Sequence, residues 1–481
     1  MPVRRSRPTR RALMPMSFHL GKPILVMLAV AAVSGTGLLF RPSPPRRPDL
    51  LLWVFAESHA QIYRSGTPDQ PSLIEQYWRS RHKTFGVELL SDRAEGVRLE
   101  SIFMSDISGP EVPDLAEIEI SDVGKYFRPP MDEVGFLPLN NYLQKSGWMD
   151  KVVKARFAPW SKEGKIFGIP HDVHPVTIIY RKDLFDEAGV DLEAPRTWPE
   201  FQDACLRFQD YWARHGHPDR HALELMFNRP DDIIMMLLQR HINPIDDYNR
   251  IYLDDPKMVR TVAFYAQLVA GPRRIGAQSS GGEGIVAQDL NAGNICAFIT
   301  PDWRVRNIKN ETARDPVTGI PVLQGKMRMR PLPIFDPGDA RTSTWGGTML
   351  AILKSCKHPD QAWDLAEFVY LSREGLEARR RTTEILPPVK SLWKDEIYQR
   401  PDPYFGGQRE EALFVELADE IPERYVTPAS TIANAIVAFV MTRAENYVET
   451  RGTDGLEDAC RGWLHRGAVD LQRRIDHGRF D

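Results

Sequence analysis

"GIPHDVHPVTIIYRKDLFDEAGV" spans Gly168 to Val190, and "TWPEF" (Thr197 to Phe201) follows it. Its middle, Val176 to Tyr180, is a β-branched run that predicts a buried strand. A charged helix start comes next. Gly189 predicts the stop, because glycine takes the left-handed conformation that ends many helices. Thr197 predicts an N-cap, and Glu200, three residues on, completes a capping box. Phe201, Ala204, Cys205, Phe208 and Trp212 then trace one apolar helical face. Ahead of the strand stand His171, Asp172 and His174. Pro170 and Pro175 bracket them and restrict the backbone there. Ionisable groups so close to a buried strand require a structural or chemical use.

Working outward, "LLWVF" (Leu51 to Phe55) predicts a first strand, with Trp53 assigned to the core. "AESHAQIY" reads as its outgoing loop. "PSLIEQYWRSRHKTFGVELL" (Pro71 to Leu90) predicts a helix, a stop at Gly86 and a second strand. "VPDLAEIEI" (Val112 to Ile120) predicts a turn and a third strand. Strand and helix in alternation point to an α/β unit with a largely parallel sheet. Pro359 fits the first turn of a later helix. The last hundred residues read as mostly helical. A chain of 481 residues is long enough for two lobes or domains.

The bulk chemistry excludes several classes. A net charge of −3 gives no reason to expect a nucleic acid partner. Cys205, Cys296, Cys356 and Cys460 form no CxxC and read as buried free thiols. GxSxG, HExxH and P-loop patterns are absent. "GGEGIVA" (Gly281 to Ala287) lacks a preceding strand and reads as a loop. "HGHPDRH" (His215 to His221) reads as a solvated loop at a helix end. Metal binding by His171, Asp172 and His174 is a further reading, but no additional ligand presents itself. No catalytic residue, resident metal or cofactor is therefore assigned.

The N-terminus is a separate unit. Residues 1–22 are basic, carrying Arg4, Arg5, Arg7, Arg10, Arg11 and Lys22. Residues 23–40 form an 18-residue uncharged stretch, the length of a transmembrane signal anchor. The basic flank predicts the N-terminus inside and the body outside. Continuation of the apolar run through Leu38, Leu39 and Phe40 favours an uncleaved anchor. The small residues of "AVAAVSG" keep a cleaved signal peptide open. Residues 41–50 read as a stiff, Pro-rich linker.

The ordered set "GIP", "YRKDLF", "AG" and "TWPEF" resembles the extracellular solute-binding proteins of bacterial ABC transporters, family 1, the sugar-binding, maltose-binding-protein-like group. "LLWVF", "VPDLAEIE" and "STWGGTMLAILKSCKHPDQAWDLAEFV" agree with it in order over most of residues 50–390. The resemblance implies an α/β, two-lobe periplasmic-binding-protein fold, type II-like, with a hinge of crossing segments; the N-terminal transmembrane helix read above would precede it and is a departure from the family, most of whose members are free in the periplasm or held by lipid. It implies an N-terminal lobe of 51–176 and 345–388 and a C-terminal lobe of 177–344 and 389–481. Crossings are expected at "PHDVHPVT", "TSTWGG" (Thr342 to Gly347) and "EILPPV" (Glu384 to Val389).

The implied function is capture of a carbohydrate, a sugar or oligosaccharide, between the lobes and its delivery to ABC permease subunits. The implied location is the periplasmic or extracytoplasmic face, held to the inner membrane through the N-terminal helix. By position in the family pattern, the ligand-binding candidates are Glu57 and His59, Glu119, His171, Asp172 and His174, Asp302 and Trp303, and Trp345. Trp345 precedes Gly346 and Gly347, where backbone can approach a ligand closely. Asn228 and Asp231 are candidates from the second lobe. Aromatic faces and planar polar groups are what sugar rings and hydroxyls require. Two alternatives stay open: a membrane-anchored ligand-sensing module, and an extracellular glycoside hydrolase with paired carboxylates from among Glu57, Glu119 and Asp172.

Overall fold

The structure is a computed structural model. It describes Gly21, Met27 and residues 48–480, apart from 68, 106, 108, 110, 226–228 and 280–282. The expected anchor at 23–40 therefore lies outside the described residues, save Met27. Among the described residues no helix is long and apolar enough to cross a membrane. Met1–Arg47 and Pro48–Asp481 are separate units; the strands and helices below all lie in the second.

From the linker the chain runs β1 (Leu50–Val54), α1 (Glu57–Arg64), α2 (Leu73–Arg81), β2 (Phe85–Leu89), α3 (Asp92–Ser105), β3 (Leu115–Glu119) and α4 (Ile120–Tyr126). β4 (Ile169–Pro170) and β5 (Val176–Arg181) flank the histidine run. They are followed by α5 (Lys182–Glu187), α6 (Trp198–Arg214), α7 (Asp231–Gln239), α8 (Pro256–Val269) and α9 (Glu283–Ala292). Then come β6 (Ala297–Pro301), α10 (Asp302–Glu311), β7 (Met327–Pro331), β8 (Thr348–Ile352), α11 (Pro359–Tyr370) and α12 (Arg373–Thr383). After several short helical turns, the long α13 (Ser430–Arg451) and α14 (Leu456–Asp476) close the fold.

The strands form two main sheets. The first has the order β2-β1-β3-β8-β4, with β1, β2 and β3 parallel and β8 antiparallel to β3 and β4. The second has the order β6-β5-β7 and is antiparallel throughout. The expected parallel sheet thus holds for the first half of the chain only. Each sheet, with the helices packed on it, is called a lobe here.

The inner strands of both sheets are buried on both faces, with β2 a partly exposed edge, and alternation of side chains sorts their residues between layers. In the first sheet, Leu52 and Leu350 point into one core while Trp53 and Met349 point into another. In the second, Ile179, Phe298 and Met329 join the first of these cores, and Val176, Ile178 and Ile299 join a third. The shared core packs the two sheets onto common helices.

Local signals explain most elements. Thr197 Oγ1 accepts from Glu200 N at 3.4 Å, and Glu200 Oε2 accepts from Thr197 N at 3.0 Å, which completes the capping box. The five residues of that face of α6 are all buried, the phenylalanines each contributing on the order of 1.5–3 kcal/mol. Gly189, at φ +67°, follows α5 as expected. Three readings need correction. "AESHAQIY" is helical, not a loop: α1 has no side-chain cap to announce it, yet it buries His59, Ala60, Ile62 and Tyr63. His82 (φ +55°), not Gly86, ends α2. Gly86 lies inside β2, where a Cβ would come within 2.8 Å of Pro48 Cγ. "GGEGIVA" also differs, since α9 begins at Glu283.

Candidate functional site

Three pieces of backbone pass side by side between the sheets. His171–Pro175 joins β4 to β5. Thr342–Gly347 leads from the second sheet back into β8. Glu384–Val389 follows α12. They are laced together: Val176 N donates to Ser343 O at 3.2 Å, Val173 N to Leu386 O at 3.2 Å, and His171 N to Thr348 O at 2.9 Å. Pro175 and Thr344 bridge antiparallel.

The polar run of the first crossing supplies the side-chain connection. Asp172 is fully buried. Its Oδ1 accepts from Arg156 Nη2 at 2.6 Å, and its Oδ2 accepts from Thr348 N at 3.2 Å. His174 Nε2 lies 3.1 Å and His171 Nδ1 3.2 Å from the same oxygen. Three of these donors crowd on Oδ2 and one on Oδ1, so the carboxylate is heavily engaged by protein groups. His174 also reaches the second lobe, with Nδ1 2.6 Å from Asp302 Oδ1, while Asp302 Oδ2 accepts from Leu386 N of the third crossing at 2.8 Å. A histidine between two carboxylates donates from both nitrogens only when protonated. Burial pulls the His174 pKa down, but Asp172 and Asp302 outweigh it and hold it up at about 9. Burial pushes Asp172 up, and His174 and Arg156 outweigh that, holding it well below the usual range.

A second buried cluster adjoins the first. Glu117, on β3, accepts from Tyr370 OH at 2.7 Å and from Tyr63 OH at 2.5 Å, and His59 Nδ1 lies 2.7 Å from its other oxygen. The His59 ring stacks on His171 with centroids 4.7 Å apart. Burial, then Arg379, drives the His171 pKa down to about 3. Glu117 is pushed up by burial but held down at about 2 by its His59 partner and further hydrogen bonds. Ionisable groups thus form a continuous chain across the hinge from β3 to α10.

These clusters back the groove between the lobes. A cavity of about 460 Å³ lies there. His59, Glu119 and Trp303 face it, and His171, Asp172 and His174 form part of its floor. Trp303, Arg306, Asn307 and Asn310 line it from α10 at i, i+3, i+4 and i+7, one helical face. Only the first of the four was read from sequence; the same 3.6-residue spacing in a polar helix would have found the others. Arg156, which no motif marked, sits in a 3-10 turn 16 residues before Asp172.

The other candidates are placed differently. Asp302 stands behind the groove, its oxygens engaged by His174 and Leu386. Glu57 is exposed at the start of α1. Trp345 packs into the second-lobe core, edge-on to Trp303 at 5.8 Å and under Arg304 at 5.2 Å. Gly347 accommodates protein rather than ligand: φ is +146°, and a Cβ would come within 2.5 Å of Arg156 Nη2. Asp231, half-buried, starts α7. Asn228 lies outside the described residues. Two of the hydrolase candidates are placed poorly for paired acid–base work: Asp172 is buried and held as a carboxylate by Arg156 and His174, and Glu57 is exposed at the start of α1. Among the described residues no group of three or more His, Cys, Asp or Glu is disposed to hold a metal ion.

The family model described as "Bacterial extracellular solute-binding protein" matches residues 104–210 and 247–374. An arabinooligosaccharide-binding protein of Halalkalibacterium halodurans is 24% identical over 383 residues, 78% of this chain and 79% of the relative. One of the same description from Bacillus subtilis is 21% identical over 441 residues, 90% of this chain and 96% of the relative. Among solved structures, the sugar-binding protein MalE from Xanthomonas citri superimposes with a TM-score of 0.68 at 19% identity, covering 89% of this chain and 98% of that one.

Proposed function

This chain belongs to the bacterial extracellular solute-binding proteins, and on that premise we propose that it captures a carbohydrate between its lobes and hands it to an ABC permease. The observation that carries the reading is the groove beside the crossing segments. Its wall sets the Trp303 indole among amide, carboxylate and imidazole groups, from Asn307, Asn310, Glu119 and His59. Such a wall suits a ring with apolar C–H faces and a polar rim. The ligand named for two relatives supports an oligosaccharide. Ligand contact is assigned to His59, Glu119, Trp303 and Asp231. Asp172, His174 and Asp302 hold the hinge, and His171 supports His59. The lobes are taken as 51–176 with 345–388, and 177–344 with 389–481. No covalent step is involved: binding shifts an open–closed equilibrium by the ligand's differential affinity for the two states.

The reading also places the body at the extracytoplasmic face, tethered through residues 23–40. The length and basic flank of that stretch support the tether. The intact mass of membrane-extracted protein checks it, since loss of the first forty or so residues would mean cleavage.

The test of capture is thermal melting of the full chain with arabinotriose, maltotriose, β-1,6-galactobiose, lactose and simple polyols. One sugar class is expected to raise Tm by roughly 3–5 °C at a hundredfold excess over Kd. A flat response across the whole panel would overturn the reading.

A further inference from the structure

The two nitrogens of the His59 ring face different surroundings. Nδ1 lies 2.7 Å from Glu117 Oε2. The ring stacks on His171, their planes 16° apart, and Phe55, the residue after β1, packs against it with centroids 5.1 Å apart. Nε2 makes no hydrogen bond among the described residues, and protein atoms do not enclose it. His59 borders the groove, so Nε2 is the nitrogen open to a ligand.

Glu117 decides which nitrogen carries the proton. It is fully buried on β3, and its Oε1 accepts from Tyr63 OH and Tyr370 OH. Tyr63 lies one turn after His59 on α1, so both reach the same carboxylate, and Tyr370 arrives from the end of α11. An ionised carboxylate only accepts, so the Nδ1 that faces it must donate. A neutral imidazole has one proton, and Nε2 is then a bare lone pair. His171 repeats the arrangement. Its Nδ1 lies 3.2 Å from Asp172 Oδ2, and its own Nε2 is enclosed without a partner. Tyr370 meets the His171 ring edge-on at 5.5 Å. A ring held on these sides gives His59 a fixed plane to stack on.

We propose that Glu117 and His171 are positioning residues that hold His59 in its Nδ1–H tautomer, so that His59 Nε2 accepts a hydrogen bond from a free hydroxyl of the captured sugar. This rests on the carbohydrate reading above and deepens it. A hydroxyl hydrogen satisfies the lone pair, whereas a carboxylate, phosphate or methyl ether oxygen brings no hydrogen to it. Exchanging the tautomer would turn the groove-facing atom from acceptor to donor without moving a heavy atom. Glu117→Gln should do so. The two tyrosine hydroxyls keep the amide oxygen, and the amide nitrogen then faces His59 Nδ1, which must accept.

The test is heteronuclear NMR of the labelled histidine rings in the full chain at about pH 8, above the ordinary imidazole range, with His59→Leu identifying the His59 signals. In the wild type Nδ1 should carry the proton and Nε2 should not. A saturating amount of whichever of arabinotriose, maltotriose and β-1,6-galactobiose binds should move Nε2 toward the protonated range and leave Nδ1 in place. Glu117→Gln should exchange the two nitrogens. By calorimetry, His59→Leu and Glu117→Gln should each weaken that sugar roughly 3–10-fold, and His59→Gln, which keeps a carbonyl acceptor, should fall between His59→Leu and wild type. A proton on Nε2 in the wild type, an Nε2 signal unmoved by bound sugar, an unchanged tautomer in folded Glu117→Gln, or wild-type affinity in His59→Leu would overturn the proposal and leave carbohydrate capture standing. Should Glu117→Gln not fold, the wild-type spectra and the two His59 variants decide. A wild type that binds none of the three sugars overturns both readings.

Discussion

Asp172→Asn is expected to destabilise the protein by about 3–5 kcal/mol, the cost of removing one partner from a buried charged pair. The substitution keeps shape and removes charge. Arg156, 1% exposed, would lose its carboxylate partner, and His174 would lose one of its two. The asparagine amide would also turn a donor toward Thr348 N or His174 Nε2, both of which donate to Asp172 in the wild type. Urea unfolding of the two proteins reads the difference. A loss under about 1 kcal/mol would mean that the hinge does not depend on this hub.

The second large effect is on the alkaline side of the stability profile. His174 has its pKa raised to about 9 from an ordinary value of about 6.5. Its contribution is complete below about 6.5 and is lost as pH rises through 9, up to about 2–3 kcal/mol. On the acid side the signs reverse. His171, depressed to about 3, costs stability as pH falls below about 6.5, because the unfolded chain takes up the proton first. Glu117 and Asp172, both depressed, withdraw their contributions below about 4.5 as protons return to the unfolded carboxylates. Taken alone, these four groups place the maximum near about pH 6.5; the buried carboxylates raised by desolvation, Glu95 to about 9 and Glu445 to about 7, also cost stability as pH rises above about 4.5 and steepen the alkaline fall. His174→Asn separates the limbs. Asparagine tolerates the left-handed backbone at φ +54° and can still donate to Asp302. The variant should be less stable at pH 6.5 and show a clearly shallower fall from pH 7 to about 9, the remainder coming from Glu95, which burial raises to about 9. An alkaline limb as steep as that of the wild type would show that His174 is not the group titrating.

How far the sequence was legible follows from how local each signal was. The strand at Val176, the stop at Gly189 and the box at Thr197 each depend on residues a few positions apart, and all three appear in the fold. The α1 helix did not announce itself because Ala56 offers no side-chain cap and only eight residues follow. The end of α2 was misplaced because a histidine took the left-handed position normally read from glycine. At the site, the run His171–His174 showed itself as ionisable residues between prolines. Its use did not, because Arg156, Asp302 and Leu386 arrive from three distant segments.

The hinge chemistry and the groove chemistry are separate layers of one device. Buried charges fix where the crossing segments lie, and groups on α10 and at the end of β3 line the groove beside them. The most direct measurement is small-angle X-ray scattering of the full chain, without ligand and with a saturating amount of whichever panel sugar raises Tm most. Closure of the lobes around that sugar predicts a smaller radius of gyration and a narrower distance distribution in the complex. A sugar that binds tightly and leaves both unchanged would contradict a hinged, two-lobed capture mechanism.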